Sequence, residues 1–247
     1  MLIAIDHGNK QIKTSRRIFV SGLRESDTKP PFGKEVLFYK GKYYTLTDQR
    51  IPYMRDKTVD ERYFILTLFA VAFELAGTDY RQDEIADVHL SIGLPPAHYG
   101  AQYERFENYF LNRDIIDFHL DGKPYSIYIS KAICFPQAYA AIMPIYQRIR
   151  QYSKVAVLDI GEFTADYLIV KNGEADLSAI HWITVSLPSI TASNPRSMQT
   201  LICCWTSLTL MLSCRIRKPT ITMLFFVLLR NKHSFLLMIC SVSCVSV

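Results

Sequence analysis

The sequence predicts an α/β fold of two related subdomains, the first complete and the second only begun. Three observations carry this expectation. A buried-looking strand closed by an acid and a glycine turn occurs twice, at residues 3–13 and 155–166, about 150 residues apart. Between them, apolar residues recur at helical spacing at Phe64, Leu68, Val71 and Leu75. After Gly173 there is no further glycine, and after Asp176 no further acid. The turn and charge chemistry of an ordinary domain stops there.

The elements follow in order. Residues 2–6 alternate into a buried strand, and 11–14 and 16–20 read as the next strands of a meander. Pro30, Pro31 and Gly33 mark a loop. Residues 35–39 and 42–46 flank Gly41 as a hairpin. Residues 59–76 carry the helical face, and 87–93 form a strand stopped by Gly93-Leu94-Pro95-Pro96. A helix over 103–111 precedes a second hairpin, 115–120 with 125–129, around Asp121-Gly122. Pro136 suits the first turn of a helix running to Arg150. Strands at 155–159, 165–170 and 177–185 complete the readable part.

The chain has 247 residues and a net charge of +5. That charge invites a nucleic-acid reading, but it is concentrated at one end. Residues 187–247 hold Arg196, Arg215, Arg217, Lys218, Arg230 and Lys232 and no acid. Without those six, 22 basic residues face 23 acidic ones, so no direct nucleic-acid binding is expected. Cysteines crowd the same stretch at Cys203, Cys204, Cys214, Cys240 and Cys244, in no zinc spacing. Two apolar runs, 221–229 and 234–247, are interrupted by Arg230, Asn231, Lys232 and His233. Each is shorter than the roughly 18–20 residues of a membrane span, and no membrane association is expected. The first residues lack the basic start and long apolar run of a signal peptide, so a cytoplasmic location is expected.

A shifted reading frame is the expected explanation of the tail, ahead of a hydrophobic anchor. If each codon takes the last base of one residue and the first two of the next, Met198 with Gln199 gives Ala. Cys203 with Cys204, and Cys204 with Trp205, each give Leu, and Trp205 with Thr206 gives Asp. The shifted text reads as an apolar helical run ending in an acid. The expected division is therefore residues 1–150 as the first domain, 151–186 as the start of a second, and 187–247 as an aberrant tail.

The two repeated segments carry the chemistry. In the first, Asp6 closes the strand before Gly8; in the second, Asp159 closes it before Gly161. Each glycine permits a tight hairpin whose amides can face an anion. Two such hairpins facing each other would grip a polyphosphate, with the acids holding a hydrated Mg²⁺ between them.

Here the chain resembles the actin, Hsp70 and sugar-kinase superfamily, whose fold is ribonuclease H-like, a mixed sheet with flanking helices. Asp6-x-Gly8 with Lys13 resembles its first phosphate loop, and Asp159-x-Gly161-x-x-Thr164-x-Asp166 its second. Phe135-Pro136-Gln137-Ala138-Tyr139-Ala140-Ala141 resembles the connecting helix. Ser91-Ile92-Gly93-Leu94-Pro95-Pro96-Ala97-His98-Tyr99-Gly100 and Phe19-Val20-Ser21-Gly22-Leu23 narrow the match to bacterial plasmid-segregation actins of the ParM/StbA type. The resemblance implies an actin-like ATPase that binds ATP and Mg²⁺, polymerises with copies of itself and moves plasmid DNA through a DNA-bound adaptor. It implies that Asp6, Gly8, Asn9, Lys13, Asp159, Gly161, Thr164 and Asp166 hold the nucleotide, that Asp6 and Asp159 hold the metal, and that Gln137 orients the attacking water. It also implies a Gly-rich adenosine loop in a second domain, which the absence of glycine after Gly173 excludes from this text. Glu162 places a charge where many relatives carry a small residue.

Two other classes stay open: a non-catalytic truncated product or adaptor-binding domain, and a small-molecule kinase, which would need a sugar-binding acid. Lys10 reads as an exposed residue of the loop, His98 as a loop or helix-start residue, Cys134 as core, and Asp27, Asp56 and Asp60 as a solvated face.

Overall fold

The computed structural model describes residues 1–152, 154–160, 165–183, 222–231 and 234–243. They fall into two compact units, Met1–Gln137 and Ala138–Val247. The first contains β1 (Leu2–His7), β2 (Gln11–Lys13), β3 (Ile18–Val20), β4 (Leu23–Ser26), β5 (Val36–Tyr39) and β6 (Lys42–Leu46). It continues with α1 (Arg62–Leu75), β7 (Ile85–Leu94), α2 (Pro96–Leu111), β8 (Ile116–Leu120) and β9 (Lys123–Pro136). The nine strands form one mixed sheet in the order β3-β2-β1-β7-β9-β8-β5-β6-β4. The central β1, β7 and β9 run parallel, and the flanking pairs are antiparallel hairpins and meanders.

Alternation decides which face is covered. Ile3 and Ile5 of β1, Leu90 and Ile92 of β7, and Ala132 and Cys134 of β9 are in register and buried. Helix α1 packs on β1 and β2, and α2 on β7 and β9. The sequence suggests one apolar stripe for α1, yet its buried residues run from Tyr63 to Ala72 without a break. A helix apolar all round is a central one. Cys134 is core as expected, and burial pushes its thiol up to about 12.

Both predicted hairpin turns form as two-residue turns of left-handed residues. Lys40 and Gly41 have φ of 48° and 79°, Asp121 and Gly122 of 52° and 80°. This twist matches that of the flanking strands. The Asp121 carboxylate also accepts from the backbone N–H of Val36 at 2.8 Å and Glu35 at 3.2 Å, tying this tip to β5.

Four local readings change. Strand β4 was not foreseen. The chain turns into it at Gly22, where a Cβ would lie 2.2 Å from the Thr47 carbonyl oxygen and 2.5 Å from that of Gln49. Helix α2 begins at Pro96, not at residue 103, because the Pro-Pro pair that breaks β7 also starts the helix. Strand β9 extends to Pro136, carried by parallel pairing with β7 along most of its length. Pro136 therefore ends a strand, and the expected helix to Arg150 is broken into α3 (Gln137–Ile142), a 3₁₀ turn (Met143–Ile145) and α4 (Tyr146–Ile149). Pro144 lacks the N–H needed to continue the helical ladder.

The second unit adds β10 (Lys154–Ile160), β11 (Ala165–Lys171), β12 (Glu174–Ile183), β13 (Thr222–Asn231) and β14 (Ser234–Ser243). Their order is β12-β11-β10-β13-β14, with β10 and β13 parallel. The meander β3-β2-β1 with its parallel neighbour β7 is thus repeated as β12-β11-β10 with β13. Ile142, Val155, Val157, Leu168 and Val170 form this unit's core, with Tyr146 packed against it. The two apolar runs of the tail, read from the sequence without a face, are the strands β13 and β14, paired with each other.

Candidate functional site

The site is built where the three parallel strands end. Ile5 pairs with Ile92, and Ile92 with Cys134. The next residues along the strands, Asp6, Gly93 and Phe135, therefore lie side by side, and Gln137 follows immediately after β9. The crevice beyond the carboxyl ends of parallel strands is the usual ligand site of such sheets. There the Gln137 amide Nε2 donates to Asp6 Oδ1 at 2.7 Å. Lys13, opposite Asp6 in the antiparallel pair, reaches Asp6 Oδ2 at 3.5 Å. The carboxylate is 25% exposed, held from both sides and open to solvent.

The turn after Asp6 is equally specified. A Cβ on Gly8 would lie 2.6 Å from the Gln11 carbonyl oxygen, so the hairpin closes this tightly only around glycine. Ser21 takes up two loop acceptors: its Oγ donates to the Gly8 carbonyl at 2.7 Å and its N–H to that of Lys10 at 2.8 Å. Asn9 works inside the protein through its side-chain oxygen, which accepts from the Tyr63 hydroxyl at 3.1 Å and the Met54 N–H at 3.4 Å. Lys10 is exposed.

Beneath the loop lies a residue the sequence reading passed over. His7 is fully buried. Its ring packs 5.5 Å from Phe106 and 5.6 Å from Phe110. The Thr67 hydroxyl donates to the Tyr63 carbonyl at 2.8 Å, so its oxygen accepts from His7 Nε2–H at 2.8 Å. Nδ1 has no hydrogen-bond partner among the described residues. The buried Lys57 donates to the His7 carbonyl and sits 5.5 Å over the Tyr63 ring. The signal for His7 was present, since it shares the parity of Ile3 and Ile5.

Burial, reinforced by Lys57, lowers the His7 pKa to about 3. In the unfolded chain an imidazole takes up its proton near pH 6.5. The stabilising effect of the neutral ring is therefore complete above about pH 6.5 and lost as pH falls towards 3, at about 1.4 kcal/mol per pH unit. Wild type is expected to lose stability relative to His7→Phe as pH falls, read from urea midpoints of the two at pH 7.5, 6.0 and 5.0. A constant difference would show that His7 is not held neutral.

Asp56 and Asp60 are structured, unlike the solvated face expected of them. Asp56 accepts from the Thr58 N–H and hydroxyl and pairs with Arg105 at 2.8 Å. Asp60 accepts from the Arg62 N–H at 2.9 Å. His98 is buried, and that burial lowers its pKa.

In the second unit Asp159 and Asp166 are cross-strand partners on β10 and β11. Asp159 closes β10 one residue before its end, the position Asp6 holds in β1. Gly161, Glu162 and Thr164 lie outside the described residues. Among the described residues there is no group of three or more His, Cys, Asp or Glu placed to hold a metal. Mg²⁺ keeps most of its waters and binds through one or two carboxylates with phosphate oxygens. Asp6, a partly exposed hard oxygen donor, fits that role. No helix among the described residues is long and apolar enough to cross a membrane.

Residues 4–139 match the family model described as the N-terminal domain of actin-like proteins. The chain belongs to the actin-like proteins. No curated protein sequence matches it. Among solved structures this actin-like chain is similar to the apo ParM protein of pSK41, with a TM-score of 0.60 at 14% identity, covering 74% of this chain and 65% of that one. It is similar to the archaeal actin homologue Ta0583 in complex with ADP, with a TM-score of 0.60 at 16% identity over 75% and 61% of the two chains. A 15-stranded ParM filament from Clostridium botulinum gives 0.55 at 20% identity over 70% and 60%. The actin-like fold is thereby established, and the chain spans 60–65% of the length of these three structures.

Proposed function

We propose that this chain is the N-terminal part of an ATP-binding, filament-forming ATPase that segregates plasmid DNA in the cytoplasm through a DNA-bound adaptor. The observation that carries the reading is Gln137 seated on Asp6 at the carboxyl ends of the parallel strands, beside a glycine hairpin. Asp6 and Asp159, one per hairpin, would hold a hydrated Mg²⁺, which supplies charge neutralisation at the phosphates when bound. Gly8, Asn9, Lys13, Gly161, Thr164 and Asp166 would shape the two phosphate loops. Gln137 carries an amide able both to donate to and to accept from water, and it orients the nucleophile. Phosphoryl transfer asks for little beyond this positioning and charge. The ADP complex of Ta0583 and the ParM filament support nucleotide binding and self-association as properties of such folds.

The complete nucleotide site belongs to the protein read in the alternate frame after Leu187. The nucleotide sequence there should encode a Gly-rich loop, and its absence would remove the frame-shift explanation. In the frame-restored protein, Gln137→Ala is expected to cut turnover about tenfold, roughly 1.4 kcal/mol of barrier, with nucleotide affinity nearly unchanged. Equal loss of both would make Gln137 a structural residue.

A further inference from the structure

We propose that Gly93 is a positioning residue, whose missing side chain is what allows Gln137 to cross the end of β7 and engage Asp6. A Cβ built on Gly93 would lie 2.9 Å from Gln137 Cγ, 3.7 Å from its Cδ and 3.6 Å from its Nε2. These are the three nearest atoms, so the space Gly93 leaves is filled by Gln137. Backbone conformation does not demand glycine here, because the left-handed glycines among the described residues are Gly41, Gly122 and Gly173.

The conflict falls near the root of the glutamine side chain. Its far end could yield without consequence, but Cγ moves away only by rotation about the first side-chain bond. That rotation swings Nε2 off Asp6 Oδ1, to which it now donates at 2.7 Å. An alanine at 93 therefore leaves the fold intact and evicts Gln137. The role assigned to Gly93 rests on the reading of Gln137 as the water-orienting residue. The contact itself is independent of any nucleotide.

The test is a double-mutant cycle on the full 247-residue chain, with thermal unfolding and the Gln137 side-chain amide resonance as readouts. Gly93→Ala is expected to lower Tm by roughly 3–12 °C, the shift expected for losing one hydrogen bond to a charged group in a chain of this size. Added to Gln137→Ala, the same change should be neutral or slightly stabilising, since the conflict is gone and the unfolded chain loses freedom. Asp6→Asn should shift the Gln137 side-chain amide signal in the wild-type background, and in Gly93→Ala that response should vanish. An equal Tm loss in both backgrounds, or an amide signal indifferent to Gly93→Ala, overturns the proposal. Should Gly93→Ala alone fail to fold, the double variant must still fold, and its failure also overturns the proposal. None of these readouts uses ATP, so the ATPase reading can fail while this one stands.

Discussion

Asp6→Ala is expected to abolish measurable ATP hydrolysis in the frame-restored protein, a loss of roughly 10²–10³-fold or more. Asp6 is where three requirements meet. It closes a buried strand, so its carboxylate is fixed by the sheet rather than by a loop. Gln137 engages one of its two oxygens and Lys13 the other. It is also the hard, partly exposed oxygen donor that a hydrated Mg²⁺ needs. Removing it takes away cation neutralisation and leaves the Gln137 amide without its anchor. Asp159→Ala is expected to match it, because Asp159 ends β10 as Asp6 ends β1. Steady-state phosphate release from the two variants is the measurement. Wild-type turnover in either would remove that residue from the mechanism.

The second large effect concerns the floor of the hairpin. Phe110 is fully buried, with ring centroids 4.9 Å from Tyr109, 5.3 Å from Phe106 and 5.6 Å from His7. Phe110→Ala removes a whole ring from a close-packed site and should cost about 3–5 kcal/mol. For a chain of this size that lowers Tm by roughly 6–20 °C. Tyr128→Ala, at a position 45% exposed, serves as the control and should stay within about 0.5 kcal/mol. Comparable losses in the two variants would mean that α2 does not seal the core beneath the loop.

Legibility followed local chemistry. Asp6, Gly8 and the turns at Gly41 and Asp121-Gly122 could be read because a strand, an acid and a left-handed position each leave a signature within a few residues. The helix α1 was legible in place but not in environment. Four apolar positions marked one stripe, while burial on all sides depends on strands far away in sequence. Strand β9 beyond Ile129 was invisible because its pairing partner is β7, not its neighbour in the chain. The partners of Gln137 were invisible for the same reason: Asp6 lies 131 residues away. His7 was readable by parity and was missed because a histidine beside a glycine turn suggests a polar loop.

The central pairing also sets a timetable for synthesis. Leu2 finds its parallel partner only at His89. At about 5–20 residues per second, β1 waits roughly 4–17 s after its own synthesis before β7 exists, and longer for β9. During that interval the available structure is local: the meander β1-β2-β3 and the hairpin of β5 with β6. Helix α1, apolar on every side, has no completed sheet to lie against. Nascent chains stalled before residue 94 should therefore present unburied α1 to chaperones, and chains that include Pro136 should not. Topology, more than any single side chain, makes the first unit slow to close.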